Sequence, residues 1–182
     1  MTALTRNPVN TDFLQTHKFQ MVFDRLPTVT YFCQTANLPG ISLTEIQRFT
    51  PFIDVYHPGE KAIYDTFNIS FLINEDMSSW LELHNWIRGA TFPENFDEYV
   101  NLTRTTKSSY TQSLASNRRP VVYTDGVLTI YSNKNNPRFR VKFHDIFPTY
   151  LGSIPFNVGD SAESTPTCDA TFRFTYYDFE TL

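Results

Sequence analysis

Four histidines, two cysteines, two adjacent acidic pairs and one Gly-Asp-Ser triplet are the residues of this chain from which a reaction could be built. His17, His57, His84 and His144 stand far apart in sequence, without the short spacing that brings two imidazoles onto one metal ion, so they read as surface or capping histidines. Cys33 and Cys168 are too few for a structural zinc site or a disulfide scaffold. They read as reduced, partly buried thiols, with one bridge between distant strands as the alternative. Gly159-Asp160-Ser161 offers a serine in a Gly-containing triplet, but a nucleophile elbow needs a strand before it and a helix after it. Here Glu163, Ser164, Thr165 and Pro166 follow, and a loop turn is expected. The pairs Glu75-Asp76 and Asp97-Glu98 are neighbours in sequence, whereas the two carboxylates of a glycosidase face one another across several ångströms. Negative charge at a helix N-terminus accounts for the first pair. Six glycines and no Gly-rich phosphate loop leave nucleotide chemistry without material. Asn68-Ile69-Ser70 and Asn101-Leu102-Thr103 fit the glycosylation pattern, which has no consequence without a secretory signal. No catalytic residue, cofactor or metal ligand is assigned, and an enzyme is not expected.

Residues without chemistry still need elements to carry them. A chain of 182 residues has the length of one domain, since two separate cores would each be marginal at that size. Aromatic residues make up 16% and charged residues 19%, below the roughly 25% charged of an average globular chain. A sizeable core follows, and wholesale disorder is excluded. The net charge of -4 argues against binding nucleic acid through bulk basic charge. Charge is nevertheless uneven: Arg118 to Lys142 holds six basic residues against one acidic, Asp125, a local +5 that leaves -9 elsewhere. Such a stretch is either a solvated sheet face or a surface that meets an acidic partner or a phosphate backbone. No apolar run approaches the roughly 18 residues of a membrane span, and Met1 to Asn7 lack the apolar block of a signal peptide. No membrane partner is expected, and the chain reads as cytosolic where it is made.

Period-two alternation dominates. In Arg138 to His144, Phe139, Val141 and Phe143 share one face while Arg138, Arg140, Lys142 and His144 share the other, as a half-buried antiparallel strand requires. Val127 to Ser132 reads as its hairpin partner across Asn133 to Pro137. Lys18 to Phe23 and Phe67 to Ile73 read as core strands. Phe172, Phe174 and Tyr176 oppose Thr171, Arg173, Thr175 and Tyr177 in a last strand. Val29 to Thr35 and Ile46 to Tyr56, the latter broken by Pro51, are further candidates. One helix is expected, about Met77 to Arg88, with Asp76 as N-cap and Gly89 as the left-handed stop. Its core face carries Trp80, Leu83, Trp86 and Ile87. Asn101 to Arg119, with ten Ser, Thr or Asn in nineteen positions, reads as a polar loop or an ordering arm. The segment from Ile41 to Tyr64 holds Pro51, Pro58 and the turn His57-Pro58-Gly59-Glu60. Its prolines and its apolar Phe49, Phe52, Ile53 and Val55 suit an arm that leaves the domain and packs on another subunit better than a central strand.

The run Tyr64-Asp65-Thr66-Phe67-Asn68-Ile69-Ser70-Phe71-Leu72-Ile73-Asn74-Glu75-Asp76, then Ser79-Trp80 and Trp86, resembles the tail terminator, or tail-completion, proteins of contractile-tailed bacteriophages, in which a strand ends in an acidic turn and feeds a Trp-containing helix. Leu38-Pro39-Gly40-Ile41 resembles the family's turn after its second strand. Leu128-Thr129-Ile130-Tyr131, Phe143, Phe147-Pro148, Cys168-Asp169-Ala170-Thr171 and Tyr176 follow in the order of its C-terminal half. The likeness spans most of Phe19 to Glu180.

The resemblance implies a mainly β protein, an antiparallel sandwich or barrel-like tail tube fold with one packed helix. One domain is expected over 1–182, with an N-terminal arm at 1–16 and a polar loop at 101–119, a segment in which the chain departs from the family's pattern. The resemblance further implies a homohexameric ring in the virion tail, assembled in the host cytoplasm. That ring caps the head-proximal end of the tube, stops its growth and seats neck and sheath proteins, while genomic DNA passes through without sequence-specific binding. On that reading Phe49, Phe52, Ile53, Val55, His57 and Glu60 form the subunit interface. Arg138, Arg140 and Lys142 are expected to point away from the channel and meet an acidic neighbour, because a ring of basic strands would hold the DNA it must release. Tube subunits and tube-initiating baseplate proteins share the fold and are the alternative. A carbohydrate-binding sandwich is a second alternative, but it would display exposed Trp or Tyr, and both Trp residues lie on the expected helix.

Overall fold

The computed structural model describes residues 12–91, 93–104, 122–157, 159 and 165–182. Most of the expected arm (1–11), most of the polar loop (105–119), Arg118, Arg119, Asp160 and Ser161 lie outside the described residues. Within them run β1 (Phe19–Phe23), α1 (Pro27–Phe32), β2 (Cys33–Ala36), β3 (Ile41–Arg48), β4 (Val55–Tyr64), β5 (Phe67–Leu72), α2 (Ser78–Thr91), α3 (Asp97–Arg104), β6 (Thr124–Tyr131), β7 (Pro137–Leu151), β8 (Thr167–Arg173) and β9 (Tyr176–Thr181). Seven strands share one antiparallel sheet in the order β1-β6-β7-β8-β5-β2, with β9 also on β7, while β3 and β4 pair only with each other.

The long strand β7 makes this sheet two-layered. Its first half, Phe139 to His144, pairs with β6 on one side and β9 on the other, and its second half, Phe147 to Leu151, pairs with β8. Between the halves Asp145 adopts φ 55°, in the left-handed region that an aspartate tolerates better than a bulky residue. Its amide donates to Asp125 Oδ1 at 3.3 Å, and its Oδ2 accepts from Thr175 Oγ1 at 3.4 Å. Thr175 is the corner between β8 and β9, so both strands change layers at one level. The half-sheets β1-β6-β7-β9 and β7-β8-β5-β2 thus close on each other: Phe23 of one stacks on Phe172 of the other with centroids 5.2 Å apart, and Phe143 meets Phe67 at 4.7 Å. Of the inward positions expected from alternation, Met21, Phe23, Phe67, Ile69, Phe71, Ile73, Val141 and Phe143 are buried, while Phe19 and Phe139, at the strand ends, are half-buried. The last strand departs from expectation at its end. The corner at Thr175 shifts the alternation by one residue, turning Tyr177 inward onto Phe143 and Phe174 and leaving Tyr176 outside.

The described residues hold three helices, not one. α2 runs to Thr91 and passes through Gly89, which is buried against α3, where an added Cβ would lie 3.0 Å from the Leu102 Cβ. Gly89 permits close helix packing and does not stop the helix. At the other end Asn74, not Asp76, is the cap: its Oδ1 accepts from the Ser79 amide at 3.3 Å, and its backbone carbonyl accepts from Met77 N–H at 2.9 Å. Val29 to Thr35, expected as a strand, is a short helix followed by β2. Pro27 pre-sets the first turn, and the Glu82 carboxylate on α2 accepts from the Thr28 and Val29 amides at 3.2 and 3.4 Å. The start of the expected polar loop belongs to α3, held by the Arg88–Glu98 ion pair and by Arg25 Nη2 donating to the Leu102 carbonyl at 3.0 Å. No helix among the described residues is long and apolar enough to cross a membrane.

Candidate assembly surfaces

β3 and β4 leave the sandwich as a hairpin. At its base, Asp65 N–H donates to the Gly40 carbonyl at 3.0 Å, Tyr177 Oη donates to the Pro39 carbonyl at 3.3 Å, and the Tyr64 ring packs on Tyr177 and Phe174. Ten residues of β4 carry the tip about 30 Å along the strand, at 3.3 Å per residue. The pairing slips once: Leu43 faces Ala62 but Glu45 faces Pro58, so Thr44 alone opposes Gly59 to Lys61. The Thr44 hydroxyl fills that bulge, donating to the Lys61 carbonyl at 3.2 Å and accepting from its amide at 3.4 Å. A side chain at Gly59 would meet Thr44 Oγ1 at 2.2 Å and its carbonyl oxygen at 2.6 Å, so the bulge demands glycine. At the tip Ile53 N–H donates to Thr50 Oγ1 at 3.2 Å, and Gln47 Nε2 donates to Asp54 Oδ2 at 2.9 Å.

Paired residues share a face. Ile41, Leu43, Tyr56 and Pro58 fall on one side of this ladder, and Ile46, Val55, His57 and Ile63 on the other. Both sides are solvent-exposed, and Phe49 (76% exposed) and Phe52 (99%) stand at the tip. Phe49, Phe52, Ile53, Val55, His57 and Glu60 are all exposed. Sequence reasoning missed Ile41, Leu43, Ile46, Tyr56 and Ile63. The available signal was apolar residues at both parities of one strand, which no single buried face explains.

The second surface is the outward face of β1-β6-β7-β9. Arg138, Arg140, Lys142 and His144 lie there as alternation requires, but three of them are already engaged. The register sets Arg140 opposite Glu180, Lys142 opposite Asp178 and His144 opposite Tyr176. Glu180 Oε2 accepts from Arg140 Nη1 at 3.2 Å and Lys142 Nζ at 3.0 Å. That hydrogen bond and charge from Lys142, joined by Arg140, hold the Glu180 carboxyl below the usual carboxylate range. His144 Nε2 lies 3.1 Å from Asp178 Oδ2, and its ring stacks on Tyr176. The acidic partner expected on another protein is thus supplied to Arg140 and Lys142 by the chain itself, while the Arg138 guanidinium lies over the Phe139 ring at 5.7 Å.

The helix residues serve the interior. Leu83 and Trp86 are buried, and Trp80 and Ile87 are half-buried. Trp86 Nε1 donates to the Val122 carbonyl at 2.9 Å beneath the Arg25 guanidinium, and Trp80 Nε1 donates to the Gly152 carbonyl at 3.3 Å while its ring stacks on His84. His17, His57, His84 and His144 sit on four different parts of the molecule, and no three metal-ligating side chains converge among the described residues. Cys33 and Cys168 lie opposite Phe71 on its two flanking strands, about 10 Å apart at the usual strand spacing, so both are free thiols. Burial pushes Cys33 up to about 11.

The profile of a family described as phage tail tube protein matches residues 5–180. The tail tube terminator protein of Enterobacteria phage T4 is 22% identical over 157 residues, covering 83% of this chain and 78% of that protein. Among solved structures, the tube terminating cap of the anti-feeding prophage superposes with a TM-score of 0.60 at 13% identity over 100% of both chains. A chain of the anti-feeding prophage baseplate superposes with a TM-score of 0.57 at 9% identity over 94% of this chain and 97% of that one.

Proposed function

The chain belongs to the phage tail tube protein family, and from that premise we propose that it is a tail tube terminator, a virion part whose copies close into a hexameric ring on the head-proximal end of the tube. The ring ends tube growth, seats the neck and the last sheath ring, and lets genomic DNA through; its work is structural and calls for no catalyst or cofactor. The likeness to the phage T4 terminator over most of both chains supports this place within the family.

The observation that carries assembly is the hairpin β3–β4, apolar on both faces and covered on neither. A free monomer gains nothing from exposing Phe49, Phe52 and Ile53 together, whereas an arm seated between copies buries them. Its base is pinned by Tyr64 and Tyr177, so the arm is presented in a set direction and pays little entropy on docking. Native mass measurement of the purified chain tests the ring: six copies are expected, and a stable monomer at working concentration overturns it. The likeness to an anti-feeding prophage baseplate chain keeps one other reading, a tube subunit or tube initiator. Electron microscopy separates the two, since a terminator gives closed rings and a tube subunit gives open-ended tubes.

A further inference from the structure

Six charged residues point outward from β6, from β7 as far as His144, and from β9: Arg138, Arg140 and Lys142 against Asp125, Asp178 and Glu180. β1 completes this half-sheet and adds only Gln20 and Val22 outward. Cations and carboxylates on these strands are therefore equal in number, with Lys18 just before β1 as one further cation, although the stretch from Arg118 to Lys142 carries a local +5 in sequence. The balance is local. One carboxylate, Glu180, binds both Arg140 and Lys142, and Asp178 takes His144.

Unpaired, the three cations of β7 would form a row with about 6.8 Å between successive side chains, two strand residues at 3.4 Å each. We propose that Glu180 is a specificity-determining residue: by occupying Arg140 and Lys142 within the chain, it makes this sheet face one that a polyanion such as double-stranded DNA can touch without being retained. A phosphate reaching either cation must displace a carboxylate that already holds it, so little counterion release is left to drive binding. Arg140 and Lys142, so occupied, are not free to grip DNA whichever way the face turns. The binding property belongs to the face itself and stands whether or not copies close into a ring. Its use, DNA moving past the face, rests on the terminator reading.

The test is binding of the full-length chain to a fluorescent duplex of mixed sequence, followed by anisotropy between 50 and 200 mM salt. Four proteins are compared: the parent, Glu180→Gln, Arg140→Gln/Lys142→Gln, and the triple variant, each with a melting curve. Glu180→Gln is expected to bind about tenfold more tightly than the parent at 50 mM salt, with a log–log salt slope steeper by about 1.8, the value for two released phosphate contacts. The triple variant is expected to return to the parent's affinity. Arg140→Gln/Lys142→Gln, which removes cations already occupied, is expected to bind DNA as the parent does. Glu180→Gln that melts like the parent and binds no better overturns the proposal. If Glu180→Gln fails to fold, a loss of DNA binding in Arg140→Gln/Lys142→Gln overturns it equally, since the cations would then have been working in the parent. The ring is measured separately by native mass, so a chain that forms no ring but shows this binding pattern refutes only the terminator reading.

Discussion

The hairpin β3–β4 and the pair β7–β9 are both antiparallel ladders, and they are finished in opposite ways. β7–β9 buries Val141 and Phe143 on the core side and pairs its outward charges strand against strand. The hairpin buries neither face and carries apolar side chains on both. A ladder with one buried face and its outward charges largely paired within the chain is a wall, even though Phe179 of β9 stays exposed. The hairpin, whose apolar demands are unmet, is on the terminator reading a connector whose complement would come from another copy.

Truncation in the core that the wall covers, on α2, should give the largest effect. Trp86→Ala removes a ring that is 2% exposed, packs on Phe172 and donates to the Val122 carbonyl. A loss of about 3–5 kcal/mol is expected in urea denaturation, and a variant that unfolds like the parent would break the comparison from the interior side. The connector should behave in the reverse way. Phe52→Ser combined with Ile53→Ser is expected to change urea denaturation by no more than about 0.5 kcal/mol at a dilution where the parent is also monomeric, as for exposed positions, yet to remove the ring in native mass measurement at higher concentration. Persistence of the ring would show that the tip is not a contact.

A subtler change separates the hairpin's geometry from its chemistry. Gly59→Val leaves every apolar contact residue in place but cannot fit against Thr44. The expected result is faster hydrogen exchange across β3 and β4, unchanged protection of β5 to β8, and a weakened ring. Uniform protection would mean that the bulge is not what shapes the arm. The smallest effect belongs to the wall's outer face. Because the folded Glu180 carboxyl is held low, its pairing stabilises the fold above the ordinary carboxylate range and is lost as pH falls through the folded value. Between about pH 5 and 3 the parent's melting temperature should therefore fall more than that of Glu180→Gln. Parallel curves would show that the ion pairs contribute nothing measurable.

Legibility followed range. Alternation placed Phe67, Ile69, Phe71, Val141 and Phe143 inside correctly, because a strand's two faces are set by neighbouring residues alone. It failed at Tyr176 and Tyr177, where a corner held by Asp145 and Thr175 resets the parity. Val29, Thr30, Tyr31 and Phe32 have strand-like side chains, and the helix they form depends on Glu82, more than fifty residues away, to satisfy its first amides. Gly89 has the composition of a helix stop and the position of a packing contact, which only the arrival of Leu102 reveals. The arm was legible in part: its prolines and aromatic tip mark it, but its second apolar face needs the register of β3 on β4.

The sequence by itself determined a mainly β, aromatic-rich domain, the inner and outer faces of its main strands, and a proline-marked arm with no interior to fill. These are properties of spacing and composition, which hold before any long-range contact exists. Only the tertiary structure decided where the charges of the outer face are answered. Arg140 and Glu180 are forty residues apart, and nothing local predicts that the corner at Thr175 will lay β9 beside β7 in that register. Side-chain direction is a local consequence of backbone geometry, whereas charge pairing depends on which strands the fold makes neighbours, and so the same basic row reads as a binding surface in one dimension and as a neutral one in three.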